Sequence, residues 1–238
     1  SYSVISNVHV IECVERYFKR RGNLADIYVD PIMINSFTET NIKFVLSKDS
    51  FDVTTERNGE VETDTWNYGF NLINSLVTSS PKSFAMFGYL VDMKTGGAIL
   101  PELSHLSPYV RRAGMTPEEV EGWVSSALDQ ILSVLPAEAE MIKLMPSHSL
   151  TGKVGAVATD LFRTMKVHRK IQERALEDLT VNGDMTTYGM MTALAKASNH
   201  PNADVPDKIR DHVMQVSGSL TLRSQEICES CGRMHMFD

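Results

Sequence analysis

The chain has 238 residues, 42% of them hydrophobic and 22% charged, and carries a formal charge of −7. That is apolar material enough for a sizeable core. The balance is too acidic for a protein that coats nucleic acid with its whole surface, since such binding draws on phosphate neutralisation. No apolar run approaches the roughly 20 residues of a membrane helix, no charged-then-apolar signal segment opens the chain, and three cysteines suit no secreted disulfide scaffold, so a soluble protein of the reducing cytoplasm is expected.

Over 7–21, Val10, Ile11, Val14, Tyr17 and Phe18 recur at helical spacing, and Lys19, Arg20, Arg21 and Gly22 suit a helix end. Residues 25–34 and 41–46 alternate as strands, 51–55 extends or pairs with the second, and Asn58-Gly59 is a strong hairpin signal. In the stretch from 64 to 100, Trp66, Tyr68, Phe70 and Leu72 fall on one side of a period of two, with Asn67, Gly69 and Asn71 on the other, which describes a half-buried strand. Residues 83–93 are so apolar that both faces must be covered, which makes that strand central. Gly96-Gly97 supplies a tight turn, after which Ala98, Ile99 and Leu100 pair back. The connections are too short for crossovers, so an antiparallel meander results.

Past Pro101 the period lengthens to that of helices. Thr116-Pro117-Glu118-Glu119 is a capping box, and the stripe from Val120 to Leu135 makes a helix that Pro136 ends, with a short helix over 137–145. A single long helix is expected over 155–179, stopped by Asn182-Gly183. Another follows to Ser198, capped by Asp184 or Thr186, and a last one runs from Asp204 to Gly218. The expected class is α+β, an antiparallel β-meander packed against an N-terminal helix and a C-terminal helical layer. Residues 1–110 hold helix and sheet, and 111–238 the helical layer, as two domains or one.

Between Lys143 and Arg174 seven cations stand against two acids, a local balance of +5 in an acidic chain. Lys153, Arg163, Lys166, Arg169, Lys170 and Arg174 are the candidate phosphate contacts, with Arg163, Lys166, Lys170 and Arg174 spaced to share one helix face. The same face also suits a solvated surface that pairs with acids of a neighbouring helix or subunit. Cys228, Cys231 and His235 have the spacing of three zinc ligands; a plain reduced tail and a redox dithiol stay open beside zinc. No P-loop, nucleophile elbow or histidine pair at helical spacing is present, so a non-enzymatic protein is expected, with no cofactor unless zinc is bound. Thirteen methionines read as adaptable core or interface filling.

The opening Tyr2 to Asn7, the strand Tyr68-Gly-Phe-Asn-Leu-Ile-Asn74-Ser75 and the helix Met185-Thr-Thr-Tyr188-Gly-Met-Met-Thr-Ala193-Leu resemble a family of uncharacterised phage, prophage and plasmid proteins, defined by a domain of unknown function. Where that family carries a glycine and then an arginine and a cysteine before Asn-Gly, this chain has Leu76-Val77-Thr78 and Tyr89-Leu90-Val91. The layout of leading helix, curved meander and packed helices also looks like the ring-forming phage single-strand annealing proteins of the Red-beta and Erf groups. That resemblance implies a homo-oligomer in a bacterial host cell that binds single-stranded DNA for annealing in recombination, with Trp66 or Tyr68 stacking on bases unless they belong to the core. Two alternatives stand beside it: an assembly protein of a phage particle, and a zinc-stabilised interaction module.

Overall fold

In the computed structural model, the described residues are 6–29, 34–35, 39–75, 84–103, 116–150, 154–199 and 205–223. They form α1 (Asn7–Arg21), β1 (Ile27–Val29), β2 (Ile34–Asn35), β3 (Glu39–Arg57), β4 (Glu60–Ser75), β5 (Phe84–Asp92) and β6 (Ala98–Ile99). The helices α2 (Pro117–Leu144), α3 (Val154–Thr164), α4 (Arg169–Asn182), α5 (Thr187–Asn199) and α6 (Asp207–Arg223) follow. The class is α+β, with an antiparallel meander ordered β1-β3-β4-β5-β6 and β2 pairing with β3. The two segments 41–46 and 51–55 are parts of the one strand β3. Asn58 and Gly59 turn it into β4 with φ of 52° and 83°, the left-handed pair of a type I′ hairpin. All nine residues of β5 are buried, as a strand between two neighbours requires.

The expected division between 110 and 111 falls in 104–115, outside the described residues. The chain packs as two units, one of Ser1–Ser50, Asn67–Tyr89 and Leu103–Pro136, the other of Phe51–Trp66, Leu90–Glu102 and Ala137–Asp238.

In the first unit Phe18 of α1 stacks on Phe70, and Phe70 on Phe44, with centroids 5.9 and 4.7 Å apart. The cations closing α1 reach α2: Arg16 and Arg20 each lie 3.1 Å from Glu121, and Arg21 and the Tyr17 hydroxyl both meet Asp129. The capping box forms, with Thr116 N–H donating to Glu119 at 2.6 Å and Glu119 N–H to Thr116 at 3.3 Å. Here β4 departs from the half-buried expectation, because Asn67 and Asn71 are buried along with Phe70 and Leu72. The Asn67 amide donates to the Leu46 carbonyl, which satisfies part of that polar face. Gly69 is required there, since a Cβ would stand 2.3 Å from the Phe44 carbonyl oxygen.

In the second unit the hairpin alternates strictly, burying Phe51, Val53, Thr55 and Arg57 on β3 and Asp64 and Trp66 on β4. Thr186 caps α5, accepting from Gly189 N–H at 3.1 Å, and α5 packs between α4 and α6. Three helix boundaries differ from expectation. α2 runs on through Pro136 to Leu144, so no separate helix stands over 137–145. A mid-helix proline costs about 3 kcal/mol, and buried Ile131, Leu135, Ala139 and Ile142 on both sides of it offset that. Residues 155–179 form two helices, α3 and α4, broken at Lys166. α6 runs past Gly218 to Arg223, because Gly218 serves close packing and not termination: a Cβ there would lie 2.0 Å from the Leu100 carbonyl oxygen.

The same substitution should therefore have opposite signs at two helical glycines. Gly122→Ala in α2 meets nothing within 4 Å and should stabilise the chain by about 0.5–1 kcal/mol. Gly218→Ala should destabilise it by roughly 1–3 kcal/mol through overpacking. Urea denaturation of the two variants beside the parent checks both signs.

Candidate functional site

Two clusters of charged side chains stand out in the second unit, one buried and one exposed. In the buried one, the Arg57 guanidinium meets Asp64 through both terminal nitrogens, reaches Glu62 at 2.9 Å and lies 3.8 Å from Asp184. The Tyr188 hydroxyl donates to Asp64 at 2.9 Å and accepts from the Trp66 indole N–H at 2.9 Å. Thr55 and Thr186 donate to the two oxygens of Asp184. Arg57 is 7% exposed and Asp64 4%, so both ions are desolvated and depend on each other.

The electrostatics follow from those contacts. Burial alone would raise Asp64, but hydrogen bonds from Arg57 and Tyr188 and the nearby positive charge hold it below its ordinary value of 3.8. Burial, and then the Asp64 charge, push Tyr188 well above the phenol range. The hydrogen bond to Asp64, working against burial, keeps Arg57 firmly charged. None of the three is held near neutrality, where a general acid or base works best. The cluster fastens the hairpin to the start of α5. Sequence reasoning missed it, although the signal was present: the hairpin alternation puts Arg57 and Asp64 on the apolar side with Phe51, Val53 and Trp66.

The exposed cluster contains five of the six candidate phosphate contacts expected from sequence, rearranged. Arg163 ends α3, Lys166 lies in the connection, and Arg169, Lys170 and Arg174 belong to α4, so they do not share one helix face. They form a corner. Arg163, Lys166, Arg169 and Lys170 are exposed, Arg174 is half-buried, and no acid stands between Asp160 and Glu173. The corner is closed by two hydrogen bonds, Lys166 N–H to Arg163 C=O at 3.0 Å and Val167 N–H to Phe162 C=O at 2.9 Å. This is a Schellman motif with Lys166 in its left-handed position at φ 56°, where glycine is usual. α4 then starts from His168 with no side-chain cap and with Arg169 and Lys170 in its first turn, at the positive end of the helix dipole. Positive charge is thus concentrated against both local conformation and local electrostatics. Arg163 pairs with Asp160 at 3.5 Å and Arg169 with Glu173 at 2.8 Å, each within its own helix and in water, where such pairs hold weakly.

Lys153, Cys228, Cys231 and His235 lie outside the described residues. Among the described residues no group of three or more His, Cys, Asp or Glu side chains could hold a metal. Trp66 belongs to the core at 1% exposure and cannot stack on a base, whereas Tyr68 is half-buried. No described helix is long and apolar enough to cross a membrane. Compared with known proteins, the chain matches no family model, and no curated protein or solved structure is significantly similar to it.

Removing parts of the buried cluster should give graded losses. Tyr188→Phe leaves the Trp66 N–H without its acceptor and should cost about 1–3 kcal/mol. Asp64→Asn leaves Arg57 without its principal counter-ion and should cost roughly 3–5 kcal/mol. Because Asp64 is lowered in the folded chain, its stabilisation is complete above pH 3.8 and is lost as pH falls through its lower folded value. Denaturation curves of the parent across the acid range should show that loss, and Asp64→Asn should remove its share.

Proposed function

We propose that this chain binds single-stranded nucleic acid without catalysing a reaction, holding phosphates at the corner between α3 and α4. One observation carries the reading: four exposed cations, Arg163, Lys166, Arg169 and Lys170, follow one another along the corner with no acid between them in the sequence, and one of them, Lys166, is kept in a left-handed conformation. A lysine there costs roughly 1–2 kcal/mol relative to an unstrained backbone, and glycine would relieve it. Strain retained under a charged, exposed side chain points to a use for that side chain outside the fold.

No chemistry is needed for such binding. Cations neutralise phosphates and release counterions, and a strand held extended along them is available to pair with its complement. Annealing of strands in recombination of a phage or plasmid, by an oligomer in the host cytoplasm, is the biological form of this proposal. It draws on the resemblance in layout to the ring-forming annealing proteins, a leading helix followed by an antiparallel meander and packed helices.

Titration of a labelled single-stranded oligonucleotide should show binding whose logarithm falls with log[salt] at a slope of about −3, near 0.7 per phosphate for four cations. Lys166→Gly should reduce that slope by about 0.7 and weaken binding, while leaving the chain as stable as the parent within about 1 kcal/mol. Reversing charge at Lys166 and Lys170 together should abolish binding without changing the oligomeric state. Absence of binding at low salt would overturn the reading. Loss of an oligomer on charge reversal would assign the corner to a protein contact, as an assembly protein requires.

A further inference from the structure

The first unit contains a half-open cavity of about 260 Å³ to which neither charged cluster contributes a residue. Buried Phe18 and Leu135 line it, and half-buried Tyr68 and Leu132 together with exposed Pro136 complete its apolar wall. Tyr68 is the odd residue of its strand: its neighbours from Trp66 to Leu72 are buried, and it alone keeps a half-exposed ring in this cavity. Pockets for drug-sized ligands run from roughly 300 Å³ upward, so this one has room for a single planar ring with its substituent outside.

Polar groups in the lining narrow the ligand further. Arg21 is engaged, with Asp129 at 2.5 Å and its guanidinium 4.6 Å from the Tyr17 ring centroid. Asn23 and Asp49 are not. The Asn23 Oδ1 is buried and finds no hydrogen-bond partner among the described residues, and Asp49 makes no hydrogen bond or ion pair among them. Both are acceptors. A buried acceptor without a donor costs free energy, which a ligand N–H in the cavity would recover.

We infer that this cavity is a nucleobase site, in which a base stacks along Tyr68 and turns an amino-bearing edge toward Asn23 and Asp49. The inference rests on the reading of the chain as a nucleic-acid binder and adds to it a preference: cytosine and adenine, which present an exocyclic amine with two N–H donors, over thymine, whose single ring N–H is flanked by carbonyls that the same acceptors repel. Base stacking on an aromatic side chain is sequence-tolerant by itself, so the acceptors would supply the selectivity.

Free deoxynucleosides test the cavity without phosphate. In NMR titrations of the full chain, deoxycytidine and deoxyadenosine should give saturable shifts at residues of this cavity, with thymidine about tenfold weaker. Leu132→Trp, which fills the cavity from a half-exposed position, should abolish the shifts while the melting temperature holds. Asp49→Ala, at an exposed position, should keep binding but lose most of the discrimination between deoxycytidine and thymidine. No saturable shift with any nucleoside, or shifts that survive Leu132→Trp, would overturn the inference. The two readings fail separately. An oligonucleotide that binds while nucleosides do not overturns the cavity alone; nucleosides that bind while oligonucleotides do not overturn the reading of function and leave the cavity standing.

Discussion

A guanidinium taken out of water on the inward side of a hairpin is the constraint around which the second unit is arranged. Arg57 follows Phe51, Val53 and Thr55 on the buried face of β3, and desolvating it costs several kcal/mol unless carboxylates come with it. The type I′ turn delivers one, since its register places Asp64 within two-point contact. The start of α5 delivers another in Asp184, which in turn is held by Thr55 and Thr186. The hairpin tip is tied to the same region from the other side: Asn58 donates to the Val181 carbonyl, and Gly183 closes α4 with a left-handed φ of 65° against the Asn58 side chain. Where α4 stops and α5 begins therefore follows from where Arg57 must find its charge. Tyr188 completes the set by satisfying Asp64 and the indole of Trp66 together, which leaves none of the cluster's central groups unpaired.

Two Schellman motifs among the described residues make an internal comparison. α1 ends with Gly22 N–H bonded to Lys19 C=O and Asn23 N–H to Phe18 C=O, with φ of 75° at Gly22. α3 ends with the same pair of bonds around Lys166. Geometry is common to both, and only the residue in the strained position differs. At α1 Arg20 and Arg21 precede the glycine and pair with Glu121 and Asp129 of α2. At α3 a cation occupies the strained position itself, and two more follow in a first turn where the helix dipole opposes them. In the first arrangement glycine relieves the backbone and the cations pair across to α2; in the second the strained residue is itself a cation.

Much of the fold could be read from the sequence because it rests on local patterns. The bounds of α1, the capping box, the Asn58-Gly59 turn and the burial of β5 each follow from a periodicity or a turn residue within a few positions. What could not be read depends on distant partners. Pro136 lies inside a helix because residues on both sides of it are buried, and Gly218 does not end α6 because it is packed on Leu100. Asn67 and Asn71 are covered although their alternation with Phe70 and Leu72 suggested solvent. The break at Lys166 was hidden for another reason: 155–179 keeps a helical apolar stripe across the corner, so periodicity alone reads two helices as one. The candidate cations were legible as a cluster of charge, but their shape as a corner was not, because it turns on the φ of one lysine.

The ion pairs also separate charges that hold the fold from charges that do not. Arg16, Arg20, Arg21, Lys48, Arg57 and Lys196 pair with acids on other elements, at Glu121, Asp129, Asp26, Asp64 and Asp178, and a partner that captured one of them would have to break tertiary structure. Arg163 and Arg169 pair only three and four residues away along their own helices. Such pairs add little to a helix and nothing to its packing, so their cations can turn to an outside anion while the fold stays as it is. The net charge of −7 does not weigh against this. At physiological salt the field of a charge decays over about 8 Å, so an approaching phosphate responds to the cations of the corner and hardly to acids farther away. A chain can be acidic as a whole and still offer one place where a polyanion binds, provided that exposed cations there can leave weak local pairs, and the pairs of Arg163 and Arg169 within their own helices are of that kind.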